Sequence, residues 1–124
     1  MIMEYTPDNL SFVSKIIINN LTQDLLPKKW ISINDTNPMF GHCHTASACL
    51  QKVFGTKNIK LYRAIDDLGI WHWWCIDKDG LLIDLTVDQY LSTHREPPHK
   101  DGTKASMLGF KYRTRVNELL QRVS

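Results

Sequence analysis

Three short stretches concentrate the groups that could do chemistry: Gly41-His42-Cys43-His44 in NPMFGHCHTAS, His72 in IWHWWCI, and Asp84 in LLIDLTV. Cys43 falls in the first turn of an expected helix, where unpaired backbone N–H groups and the helix dipole favour a thiolate. An imidazole beside it would take the thiol proton, and a carboxylate behind the ring would fix its tautomer. Cys43, His72 and Asp84 are therefore candidates for nucleophile, base and orienting residue. Asn37, six positions before the cysteine, offers a side-chain amide to an oxyanion, with the Cys43 backbone N–H as the second donor.

Each residue alone has a plainer reading. A cysteine at a helix start is commonly a small buried side chain, a strand histidine a satisfied structural group, and an aspartate after a hairpin a turn cap. Their joint occurrence, in order and on compatible elements, favours the triad. A zinc site built on His42, Cys43, His44 and either His72 or Cys75 is the weaker alternative. Residues 42 and 44 diverge on a helix, and no CxxC or HxxxH pair is present, so no metal and no organic cofactor is expected.

Other side chains are candidates for ligand contact. Trp71, Trp73 and Trp74 could line a groove, although strand aromatics are usually core. Lys104, Lys111, Arg113 and Arg115 form a basic segment whose ordinary role is a solvated face; beside the cysteine it would hold phosphate or carboxylate groups. His94 and His99, in a Pro-rich loop, read as surface residues.

The elements that must position these groups follow from periodicity. Residues 8–21 carry Leu10, Val13, Ile16, Ile17 and Leu21 at helical spacing, with Asp8 as N-cap. Residues 25–38, broken by Pro27 and Pro38, read as a long loop with one short element at most. A second helix starts near His42, buries Ala46, Cys49, Leu50 and Val53, and ends at Gly55. Three strands are expected at 59–65, 70–76 and 81–87, then a polar loop over 92–109 and a closing helix with Val116, Leu119, Leu120 and Val123 inward. The fold class is α+β, with helices packed on a small antiparallel meander.

One turn decides whether the triad can form. Asp77-Lys78-Asp79-Gly80 suits a type I turn with Gly80 in the left-handed region, a three-residue hairpin loop with a bulge. Asp77 then faces Leu81, Trp74 faces Asp84 and His72 faces Thr86, so His72 and Asp84 are diagonal neighbours on one face. Trp71, Trp73, Cys75, Leu81, Ile83 and Leu85 point the other way, into a core. A two-residue loop would put His72 and Asp84 on opposite faces.

At 124 residues, 43% apolar and 23% charged, the chain is expected to be one domain, 1–124, able to bury a core without staples. A net charge of +2 argues against nucleic acid on bulk electrostatics. No signal-like or membrane-length apolar run is present, so a cytoplasmic location and no membrane partner are expected. Three cysteines, an odd number, are expected to be reduced thiols.

GHCHTASACL, then HWW, then GLLIDLTVDQY and GFKYRTRVNELL resemble a family of short phage and bacterial proteins with the pattern G-H-C-x-x-A-S, H-W, I-D-x-T-x-x-Q and a closing Arg-containing helix. This pattern is similar to papain-like cysteine hydrolases in the broad sense, near the NlpC/P60 and transglutaminase-like groups. The resemblance spans roughly residues 37–120 and is most specific at Gly41-His42-Cys43 with Asp84, Thr86 and Gln89. It implies a papain-like fold, Cys43 as nucleophile, His72 as base, Asp84 as orienting residue and Asn37 as oxyanion donor. It adds Gln89 and His44 to the ligand-binding candidates Trp71, Trp73, Trp74 and Arg113, His44 standing where an aromatic or aliphatic residue is expected. The implied activity is hydrolysis or acyl transfer at an amide, isopeptide or thioester of a protein or small amide, a host protein if the chain is phage-encoded. The rival, from another class, is a non-enzymatic binder on the same fold that sequesters a host protein or a nucleotide-like signal.

Overall fold

Thr6-Pro7-Asp8 starts the first helix one step earlier than the apolar periodicity indicates. In the computed structural model, which describes residues 3–106 and 113–124, α1 spans Pro7–Asn19. Its cap is Thr6, whose hydroxyl accepts from Asn9 N at 3.1 Å, and not Asp8. Proline at N1 is pre-set for the helical φ and lacks only a hydrogen that would have no partner, which moves the cap back to Thr6. The expected loop after it holds a 3-10 turn, Gln23–Leu25, and a short helix, α2, Lys28–Asn34.

α3 spans Cys43–Phe54 and ends at Gly55. Its stripe of Ala46, Cys49, Leu50 and Val53 is fully buried, and the helix packs on α1, on β1 and β2, and on the last helix. Each large aliphatic side chain buried this way contributes roughly 1.5–3 kcal/mol, so the helix carrying Cys43 is firmly anchored. Gly41 sets its entry: the residue has φ +87°, and a Cβ there would lie 2.8 Å from Leu26 Cδ2. Only glycine meets both conditions without displacing the neighbour.

Four antiparallel strands form one sheet in the order β3-β2-β1-β4: β1 Ile59–Ile65, β2 Trp71–Asp77, β3 Leu82–Ile83 and β4 Thr103–Ala105. Gly80 has φ +90° and its N–H bonds Asp77 O, closing the bulged turn, and Cys75 pairs with Ile83 as that turn requires. β3 is shorter than the apolar run 81–87. The Asp84 carboxylate accepts from Thr86 N at 3.2 Å, and the chain turns away from the ladder there. A short polar side chain that captures its own backbone two residues on ends a strand in this manner.

The polar loop is more ordered than its composition indicates. It contains a 3-10 turn at His99–Asp101 and β4, which pairs with β1, and a short helix, α4, Asp88–Leu91, comes just before it. The closing helix α5 spans Arg113–Val123 and buries Val116 and Leu119 against α3. Lys111 lies outside the described residues.

Two of the six residues expected in the core are not there. Trp71 and Leu81 are about half exposed, while Trp73 and Cys75 are buried and Ile83 and Leu85 pack against the core. Trp71 opens β2 and Leu81 sits at the hairpin turn, so both lie at the ends of the paired region, where their side chains are left open to solvent. Among the described residues, no helix is long and apolar enough to cross a membrane.

Candidate active site

The site forms where the N-terminus of α3 meets the first residues of β2. Cys43 opens the helix with its thiol 3.9 Å from the Trp71 carbonyl, one residue before His72. No side chain caps α3, which leaves first-turn N–H groups unclaimed by a capping oxygen. His72 is fully buried, its ring stacked on Trp74 and met edge-on by Tyr90. Its Nε2 lies 2.6 Å from Asp84 Oδ2. A carboxylate only accepts, so Nε2 carries the proton, and Nδ1 is the nitrogen left for the thiol.

Electrostatics reinforce this geometry. Burial opposes charge on His72, yet hydrogen bonds to Asp84 and Cys43 prevail and raise its pKa to about 9. Burial likewise works against a charged Asp84, but its bonds to His72 and His99 hold the carboxyl below the usual range. His44 shows what burial alone does, pushed down to about 4, and His42 falls as far because burial outweighs the opposing pull of Asp24. Burial also pushes the Cys49 thiol up to about 12 and raises Cys75 further, and the three cysteines are free thiols. Of the three, Cys43 is the thiol that meets the His72 imidazole.

His99 is the group that sequence reasoning missed. It was expected at the surface, but its Nε2 lies 2.7 Å from the same Asp84 oxygen and its ring meets Trp74 edge-on. The 3-10 turn after Pro98 carries it inward, and nothing in local composition signals this; the Pro97-Pro98 pair, which stiffens the approach, is the only cue.

The remaining candidates scatter. Gln89 is buried behind the base, its Nε2 3.0 Å from Thr86 Oγ1 and 3.5 Å from His72 Nδ1. Asn37 is buried and donates one amide hydrogen to the Gln89 carbonyl at 3.0 Å, tying the loop before Cys43 to α4. His44 and Trp73 are buried edge-to-face against each other, and Trp74 is enclosed between two histidines. Of the tryptophans named as ligand contacts, Trp71 alone is open to solvent, with the Arg63 guanidinium over its ring at 4.3 Å. Arg113 and Lys104 lie together at a cleft by the other end of α3.

Among the described residues, one cluster has metal-ligand character: His72, Asp84 and His99, with ligand atoms within 4.8 Å of one another. Neither His42, Cys43 nor His44 belongs to it. Ligands of a tetrahedral zinc stand roughly 3.3 Å apart, whereas both histidines approach Asp84 at hydrogen-bond distance. The cluster fits shared protons better than a shared ion.

No curated protein and no solved structure matches the chain. The family model described as the YunG protein matches residues 13–124, nearly the full length, and the chain belongs to the YunG family.

Proposed function

We propose that this is a papain-like cysteine hydrolase or acyltransferase in which Cys43, His72 and Asp84 act on an amide, isopeptide or thioester carbonyl. The observation that carries the reading is the buried His72, bound to Asp84 at 2.6 Å on one nitrogen and coupled to the Cys43 thiol. His72 Nδ1 takes the thiol proton and the sulfur attacks the carbonyl carbon. The developing oxyanion is met by the Cys43 backbone N–H and the second amide hydrogen of Asn37. The imidazolium then returns its proton to the leaving amine or thiolate, which leaves an acyl-thioester on Cys43. Water, deprotonated by His72, or an acceptor amine releases the acyl group. Asp84 keeps the ring oriented throughout, and no metal or organic cofactor enters any step.

The rival is a non-enzymatic binder, for which Cys43 would be dispensable. Residue-resolved iodoacetamide alkylation across pH 4 to 10 separates the two, with Cys49 and Cys75 as internal controls. Fast labelling of Cys43 at pH 6, slowed at least about tenfold by His72→Ala, supports the enzyme. A stoichiometric burst of p-nitrophenol from an activated acetate ester, absent in Cys43→Ser, would extend it to acyl transfer. Labelling of Cys43 as slow as that of the other two thiols would refute the reading.

A further inference from the structure

Asp84 holds His72 at one nitrogen, and a ring fixed at one atom can still tilt about that bond. Two other rings limit the tilt. Trp74 is stacked on His72 with centroids 5.7 Å apart, and Tyr90 meets it edge-on at 4.7 Å. Trp74 sits inside the ladder of β2 with β1, whereas Tyr90 belongs to α4, a helix of four residues. Tyr90 is buried, and its hydroxyl donates to Asp66 Oδ2 at 2.9 Å. The Arg95 guanidinium lies over the Tyr90 ring at 4.9 Å and donates to the same Asp66 oxygen at 3.2 Å. Burial, and then the bond to Asp66, raise the pKa of Tyr90, so the phenol stays a donor.

The Asp66 side chain is only 5% exposed, although the residue lies in the turn between β1 and β2. Its two oxygens have separate partners. Oδ1 accepts from Leu68 N at 2.9 Å and from Ile70 N at 3.0 Å, closing the turn that leads into Trp71 and His72. Oδ2 receives Tyr90 and Arg95. A turn cap needs only the first oxygen. Asp67, 56% exposed, also pairs with Arg95 and shows what a plain surface ion pair looks like in the same turn. The Trp71 carbonyl that follows the turn lies 3.9 Å from the Cys43 thiol. One carboxylate therefore ties the entry of β2, beside the nucleophile, to the ring that braces the base. The titratable groups around His72 are Cys43 of α3, Asp84 after β3, His99 of the 3-10 turn and Tyr90 of α4; Asp66 reaches it through Tyr90.

We propose that Asp66 is a positioning residue of the site, setting His72 against Cys43 through Tyr90 and the turn before Trp71. The inference rests on the hydrolase reading. The test is the rate of iodoacetamide alkylation at Cys43 in the full chain from pH 4 to 10. At pH 6 the rate depends on the base, whereas at pH 10 the thiol ionises without it, so a misplaced His72 costs rate at low pH alone. Asp66→Asn and Tyr90→Phe keep the side-chain shapes. Each is expected to slow labelling at least about fivefold at pH 6 and less than about twofold at pH 10. The double variant should be within about twofold of the slower single one, because both changes remove the same bond. Asp67→Asn, which takes a charge from the same turn, should leave the whole profile within about twofold of the parent. A merely structural role would instead expose Cys49 and Cys75 to the reagent. Tyr90→Phe leaves the turn intact and decides the matter if Asp66→Asn loosens the fold. An unchanged rate at pH 6 in Tyr90→Phe, equal losses at both pH values, an equal loss in Asp67→Asn, or labelling of Cys49 and Cys75 in Tyr90→Phe would each overturn the proposal while Cys43 of the parent still labels fast. Slow labelling of Cys43 in the parent would instead refute the hydrolase reading, and the role of Asp66 with it.

Discussion

Asp84→Asn isolates the contribution of the carboxylate to the state of His72. Asp84 Oδ2 receives both His72 Nε2 and His99 Nε2, and Oδ1 receives Thr86 N. Asparagine keeps the shape and one acceptor but removes the charge that balances an imidazolium. His72 stands at about 9 against an ordinary 6.5, which corresponds to roughly 3 kcal/mol in favour of the charged ring. Burial works against that figure, because His44, shifted by burial alone, falls to about 4. The attraction from Asp84 and Cys43 together therefore exceeds roughly 3 kcal/mol, and losing the Asp84 share should bring His72 to about 7 or below. The assay is a pH titration of the His72 ring carbon by NMR in histidine-labelled protein, read beside the Cys43 alkylation rate at pH 6. The midpoint is expected to drop by at least about 1.5 and the rate by at least about tenfold. His99→Gln, which frees Asp84 for His72 alone, should leave the midpoint near 9. A midpoint within about 0.5 of the parent in Asp84→Asn, or an unchanged alkylation rate, would refute the assignment of Asp84 as the group that holds the base.

Two further outcomes follow from buried groups and backbone. Stability should peak near pH 6.5, with opposite slopes on either side. His42 and His44, held down at about 4, resist protonation when folded, so stability is complete above about 6.5 and falls as pH drops toward 4, by up to roughly 3 kcal/mol each. His72, raised to about 9, adds stability that is complete below about 6.5 and is lost as pH rises through 9. Asp84, held low, adds stability present above the ordinary carboxylate value and lost only as pH falls below it. Urea unfolding at pH 4.5, 6.5 and 9.5 checks this, and His42→Gln should flatten the acid limb alone; a monotonic profile would contradict the assignments. Gly41→Ala should cost roughly 2–3 kcal/mol in the same assay, because it combines a left-handed φ with a 2.8 Å approach to Leu26, and it should slow Cys43 alkylation by shifting the start of α3. A loss below about 0.5 kcal/mol would mean that the turn before Cys43 adapts freely.

Where a signal is carried by neighbours in the chain, it was legible in the sequence. The apolar period of α3 and its Gly55 stop set that helix and put Cys43 in its first turn. The Asp-Gly turn chemistry at 77–80 set the β2–β3 register, and period-two alternation then brought His72 and Asp84 to one face. Segments whose order depends on distant contacts were not legible. β4 and the inward turn at His99 lie in a polar, Pro-broken stretch and are held by the body they fold onto: β4 by pairing with β1, and His99 by its bond to Asp84. The exposure of Trp71 was hidden for the same reason, since alternation tells which face a side chain takes but not how far along the strand the helix layer extends. Residue order along the chain determined the candidate triad. Only the tertiary structure decided that Asp84 serves two histidines, because that depends on where separate elements end in space.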